Sequence, residues 1–226
     1  MLSRAWLEKV RKILGLLAVT GAVSFPRMTR LGRDTVGADA FHFKDWSYVF
    51  MKEFEAGKYN RLYVTVQPAV LTIYSNIIGF KSLYFLKDKL NLIAAGEKDF
   101  ELLMHAFQKF PKAVFISLLS VLIFWLVKKL YGKWVGLIFL LLFSSEPYFL
   151  GQSRMIMTDA LPGYLVSLAA LVFIYYSQHA RNRLWWVLVI GFLSGLAIIE
   201  RAGSFVFLAA FCLMFLLQRG GVLREF

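Results

Sequence analysis

Uncharged apolar runs recur along the chain, cut by short charged patches: Ile13 to Pro26, Ala113 to Val127, Trp134 to Ser145 and on past Glu146 to Ser153, Ala160 to Ala180, Leu184 to Ile199, and Ala202 to Gln218. Such runs predict six membrane-spanning helices. A hydrocarbon core of ~30 Å takes about 20 helical residues, so the shorter runs need flanking Lys and Arg to snorkel or the bilayer to thin. The first run follows Arg4, Lys9, Arg11 and Lys12, an arrangement that also opens signal peptides. Phe25, Pro26 and Arg27 make a poor small-residue cleavage site, which favours an uncleaved anchor.

The short loops set the orientation. Lys128, Lys129 and Lys133 separate the second and third spans, and Arg181 and Arg183 separate the fourth and fifth, so both loops are expected on the cytoplasmic side. The opposite, exoplasmic side then receives residues 27–112, 146–158 and the tight turn at Glu200 and Arg201. Residues 27–112 mix 13 Lys or Arg with 9 Asp or Glu, and a loop of that length translocates largely regardless of its charge. Within it Phe43, Trp46, Phe50 and Phe54 recur at helical spacing, with Lys52, Glu53 and Glu55 on other faces. That pattern predicts an amphipathic helix at the interface. A second apolar run, Tyr63 to Leu86, holds Pro68, Asn76, Gly79 and Lys81 and reads as interfacial or re-entrant. The expected fold is an all-α integral membrane protein, with residues 1–226 forming a single helical membrane domain.

Composition agrees with the pattern. Of 226 residues, 59% are hydrophobic, 17% aromatic and 18% charged, against the quarter or so of charged positions in soluble domains. With a mean hydropathy of +0.62, the outer solvent must itself be apolar. The net charge of +12 does not point to nucleic acid, because the cations sit at the ends of apolar runs rather than on one aromatic-flanked face. A single cysteine, Cys212, excludes an intrachain disulfide. HExxH, CxxC, Walker, GxGxxG and Gly-x-Ser-x-Gly patterns are absent, which removes support for the common metal, nucleotide and serine-hydrolase chemistries.

Charges at the rim of a membrane bundle are functional candidates, because they are costly there unless paired or hydrated. The outer set is Asp39, His42, Asp45, Gln67, Lys109, Glu146, Arg154, Asp159, Glu200 and Arg201. Carboxylates and cations at one face suit an acid-base centre with an anion site. Plainer readings stand beside this one. Asp39 and Asp159 each precede a helix and read equally as N-caps; Arg154 and Arg201 read as headgroup anchors; His42 reads as packing among aromatic residues.

The order of short motifs resembles the amino-terminal half of GT-C superfamily membrane glycosyltransferases, in the protein O-mannosyltransferase and aminoarabinose-transferase-like group. It rests on Asp39 followed by the aromatic helix and Glu55-Ala56-Gly57-Lys58-Tyr59, then Gln67-Pro68-Ala69 and Lys109-Phe110-Pro111 opening the second span. The Lys128-Lys129-Leu130-Tyr131-Gly132 turn, Ser153-Arg154 with Asp159, and Gly195-Leu196-Ala197 leading to Arg201 complete it. The resemblance implies a sugar donor on a polyprenyl phosphate, a protein or glycolipid acceptor, and inversion at the anomeric carbon. It implies Asp39 as the catalytic base, with Arg201, Arg154, Lys109, Asp159, Gln67 and His42 around the substrate and lipid phosphate. No cofactor is required, and a divalent metal is left open. Ala40 stands where the family commonly has Glu, and the chain is expected to lack the family's carboxyl-terminal half and so to be an incomplete enzyme. Two other classes compete: a transporter-like lipid-binding protein and a non-catalytic membrane scaffold. A transporter more often sets its polar residues at the bilayer midplane in broken helices, whereas the charges here crowd one rim.

Overall fold

The computed structural model describes residues 4–33, 38–62, 69–89, 97–179 and 184–219, and among them it is entirely helical. The elements in order are α1 (Arg4–Met28), α2 (Ala38–Glu55), α3 (Val70–Tyr84), α4 (Glu97–Tyr131), α5 (Lys133–Ser145), α6 (Pro147–Arg154), α7 (Ala160–His179), α8 (Leu184–Glu200) and α9 (Phe205–Arg219).

The core lies where α4, α7 and α8 meet. Ile116, Leu119, Ile123 and Leu126 from α4 pack against Leu161, Leu165, Leu168 and Val172 of α7 and Ile190, Leu193 and Ala197 of α8, with Phe211 closing from α9. The outer surface carries large apolar side chains: Leu141, Leu188 and Phe192 are each at least 60% exposed. A bundle dressed in exposed Leu and Phe is built for lipid, not water. The hydroxyls inside α4 fit that setting, since Ser117 donates to the Ala113 carbonyl and Ser120 to the Ile116 carbonyl, leaving no hydroxyl proton facing hydrocarbon.

By length and composition two helices can cross a membrane, Asp99–Tyr131 and Ala160–His179, with a third if α5 and α6 count as one broken span. At a rise of 1.5 Å per residue, α8 covers about 26 Å and α9 about 23 Å, both short of the ~30 Å core. Every 18-residue window of α1 holds at least three charged residues.

Two expectations change in detail. The helix that carries the second run begins well before Lys109-Phe110-Pro111, because α4 runs unbroken from Glu97 through Pro111 to Tyr131. The third run is not straight: it bends by 59° between α5 and α6. Glu146 makes that corner by accepting from the Phe149 N–H at 2.6 Å, with Pro147 in the first turn, so its charge serves the backbone. Gly132 joins α4 to α5 at φ +94°, ψ 170°, a conformation essentially reserved for glycine.

In the long loop, α2 carries the expected face. Ala40 and Phe43 are buried with Ala69, Ile73 and Ile156, and Trp46 and Phe50 pack against them. The second apolar run forms α3, which lies flat on the polar half of α4. A Cβ on Gly79 would come within 2.6 Å of the Phe107 carbonyl carbon and 2.8 Å of Gln108 Cα. The glycine is what lets the two backbones touch.

Candidate active site

Several chain segments meet at the end of the bundle opposite Lys128, Lys129 and Lys133. Glu200, the last residue of α8, is fully buried. Its carboxylate accepts from the Thr72 N–H at 3.1 Å and from the Thr72 hydroxyl, and its carbonyl accepts from the Ala69 N–H at 3.1 Å. One acidic residue thereby ties the start of α3 to the end of α8. The nearby cation is Lys112 of α4, also buried, whose field acts on Glu200. Its ammonium donates to the Met155 carbonyl at 3.0 Å and to the Met157 carbonyl, fixing the stretch between α6 and α7. Ala69 is held at φ +46°, one of two non-glycine residues with positive φ among those described. Strain of that kind persists only where the surroundings enforce it.

Asp159 and Arg201, side by side on the exposed rim, form an ion pair. The pair joins the entrance of α7 to the turn after α8, 42 positions later in the chain. A second cation-rich feature lies at the end of α1. Arg27 is fully buried, donating to the Val23 carbonyl at 2.6 Å and the Tyr164 hydroxyl at 2.9 Å. Arg154 donates to the carbonyls of Pro26 and, at 2.6 Å, Thr29.

The expected site residues are therefore distributed unevenly. Asp159 and Arg201 are in contact, and Arg154 is at the α1–α6 junction. Lys109 is buried on α4 in a separate cluster where its charge acts on Lys44 and His105. There the Lys44 ammonium sits 3.3 Å from His105 Nε2 and against Nδ1. Burial, reinforced by Lys109, holds Lys44 below the ordinary lysine range against the opposing pull of Asp45 and Glu101. His42 is exposed and stacks on Trp46 at 5.9 Å. Gln67 lies outside the described residues. Asp39 is the second residue of α2 by backbone, within the first turn rather than ahead of it, and its side chain is outside the described set. Its neighbour Ala40 packs in the cluster with Ala69 and Ile156, which sets the start of α2 beside the segments held by Glu200 and Lys112.

Lys112 and Arg27 are absent from the sequence-derived set. The available signal was a cation beside a proline at the edge of an apolar run, Pro111-Lys112 and Pro26-Arg27, which reads equally as snorkelling. Among the described residues no group of three His, Cys, Asp or Glu side chains is placed to hold a metal.

A family model described as dolichyl-phosphate-mannose-protein mannosyltransferase matches residues 106–225, just over half of the chain. No curated protein and no solved structure matches it.

Proposed function

Because the chain belongs to the dolichyl-phosphate-mannose-protein mannosyltransferase family, we propose that it transfers a mannosyl group from a polyprenyl-phosphate donor to a hydroxyl of a protein or glycolipid acceptor. In this reading six crossings place residues 27–112 and the Asp159–Arg201 rim on the exoplasmic face. Asp39 takes the proton of the acceptor hydroxyl as its oxygen attacks the anomeric carbon. The bond from that carbon to the phosphate oxygen breaks, polyprenyl phosphate leaves, and the configuration inverts. Charge builds on the departing phosphate, where a fixed cation contributes most. Arg201 supplies it, with Asp159 holding the guanidinium in place until the phosphate arrives.

The observation that carries this reading is the packing of Ala40 with Ala69 and Ile156. It sets the first turn of α2, and so the backbone of Asp39, at the end of the bundle where Asp159, Glu200 and Arg201 gather. A base at that end meets a lipid donor without any water-soluble sugar nucleotide entering the membrane.

The test compares Asp39→Asn with Asp39→Ala in the full-length protein reconstituted with a radiolabelled polyprenyl-phosphate mannose. Asn keeps nearly the shape of Asp but cannot take the proton. Transfer is expected to fall by about 100-fold or more in both variants, the scale of losing a general base, with donor binding and thermal stability little changed in Asn. Transfer by Asp39→Asn at close to the parental rate rules the assignment out.

A further inference from the structure

The opening turns of α1 are two-sided and stand at the surface. From Leu7 to Ala18 every residue is exposed except the partly buried Val10. At about 100° per residue, Leu7, Val10, Ile13, Leu14 and Leu17 fall within an arc of about 120°. Glu8, Lys9, Arg11 and Lys12 fall within a separate arc of about 160°. Leu7, Leu14 and Leu17 are each more than half exposed. A helix surrounded only by lipid tails is apolar all round, and one surrounded by water hides its apolar arc. A helix exposed on both arcs fits the boundary where acyl chains meet headgroups.

Its depth in the bundle agrees. Arg27, near the carboxyl end of α1, bonds Tyr164 at the rim that holds Asp159 and Arg201. Lys12 lies 15 residues before it, about 22 Å along the helix. On α4, which packs against α1, Lys128 lies 16 residues beyond Lys112, about 24 Å. The cations of both helices therefore reach a similar level, the end of the bundle away from the rim. Aromatic rings accompany them: the Lys129 ammonium lies 4.9 Å from the centre of Trp125 and 4.3 Å from that of Tyr175, and Trp134 is 75% exposed. Cations and aromatic rings at one level mark a headgroup region.

We propose that Leu7–Leu17 is a docking surface for anionic phospholipid in the leaflet on the side of Lys128 and Lys129. Leu7, Leu14 and Leu17 enter the acyl chains, while Lys9, Arg11 and Lys12 hold lipid phosphates. The charge selects the lipid. Three cations against Glu8 leave this stretch at +2, and Lys128 and Lys129 add to the same level. A span of about 22 Å falls about 8 Å short of the hydrocarbon core, so these long side chains extend toward the headgroups and draw phosphates inward. A zwitterionic headgroup brings its own cation to that place; an anionic one brings net negative charge.

The experiment uses the full chain in phosphatidylcholine nanodiscs containing a minority of phosphatidylglycerol. A donor dye is attached at Gly15→Cys in a Cys212→Ser background, a position where an added Cβ meets nothing within 4 Å. Energy transfer is measured to trace acyl-labelled phosphatidylglycerol and, separately, to acyl-labelled phosphatidylcholine. Transfer to the anionic lipid is expected to exceed that to the zwitterionic one by about twofold or more, and high salt should erase the excess. The Lys9→Gln/Arg11→Gln/Lys12→Gln variant should lose the preference, whereas Lys9→Arg/Lys12→Arg should keep it. Glu8→Gln, which removes the opposing carboxylate, should strengthen it. Equal transfer to both lipids in the parent, a triple variant that behaves like the parent, or a Glu8→Gln variant with a weaker preference overturns the proposal. Mannosyl transfer does not enter the readout, so this surface and the role given to Asp39 fail separately.

Discussion

Replacing Thr72 by Val keeps the shape of the side chain and removes one hydrogen-bond donor. Glu200 would keep the Thr72 N–H at 3.1 Å but lose the hydroxyl on its other oxygen, Oε1, in a place with no exposure to solvent. A hydrogen bond to an ionised group contributes about 1.5–3 kcal/mol, whereas neutral bonds between membrane helices average about 0.6 kcal/mol. The tether involves a carboxylate, with Lys112 acting on it as counter-charge, so Thr72→Val should cost about 1.5–3 kcal/mol. Thr72→Ser retains the donor and should cost less than a third as much. Both are read by chemical denaturation in mild detergent, and a cycle with Glu200→Gln isolates the coupling. A Thr72→Val loss no greater than about 0.6 kcal/mol, or equal losses for Val and Ser, would refute the idea that a charged buried bond fixes α3 to α8.

Gly79→Ala places a methyl group 2.6 Å from the Phe107 carbonyl carbon, well inside ordinary contact, and α3 must back away from α4 at a cost of about 1–3 kcal/mol. Gly191→Ala, whose added Cβ meets nothing within 4 Å, should leave the unfolding temperature unchanged or slightly raised; equal behaviour of the two variants would show that α3 is not packed on α4. Sidedness is checked with single cysteines on a background lacking Cys212, read by labelling with an impermeant thiol reagent in intact cells. Cysteine at Asn60 should label and cysteine at Lys133 should not; the reverse pattern would sink the exoplasmic assignment.

The apolar runs gave good access to the membrane helices because their ends coincide with charge. The fourth run, from Ala160, became α7, and the run from Leu184 became α8 almost residue for residue. The misplaced start of α4 has a physical origin: Pro111 lacks an N–H and suits a first turn, yet a long helix in a packed bundle tolerates it in the interior. The site was less legible than the spans. Asp159 read as a cap because the helix it precedes was visible, while Arg201, its ionic partner, is brought to it only by the antiparallel pairing of α7 and α8. Glu200 stood in the outer set as a rim charge, and nothing local announces that its carboxylate is buried on Thr72. Burial of a terminal charge is decided by which neighbour packs over it, and an apolar run carries no such information.

The positions of the buried charges have a mechanical consequence. Lipid tails are as apolar as leucine, so helices in a bilayer gain little from hiding apolar faces against each other, and interhelical polar contacts carry more of the specificity. Here those contacts are concentrated at one end. Arg27 bonds α1 to α7, Lys112 holds the α6–α7 connection to α4, Glu200 holds α3 to α8, and Arg154 holds α6 to the end of α1. Each of these charges is held by neutral carbonyl, hydroxyl or N–H groups, and losing one such bond costs about 1.5–3 kcal/mol, so the rim is fixed more firmly than apolar packing alone would fix it. In the proposed reaction that rigidity would hold the groups that exchange proton and phosphate in register, because small displacements of reacting groups slow the chemistry steeply.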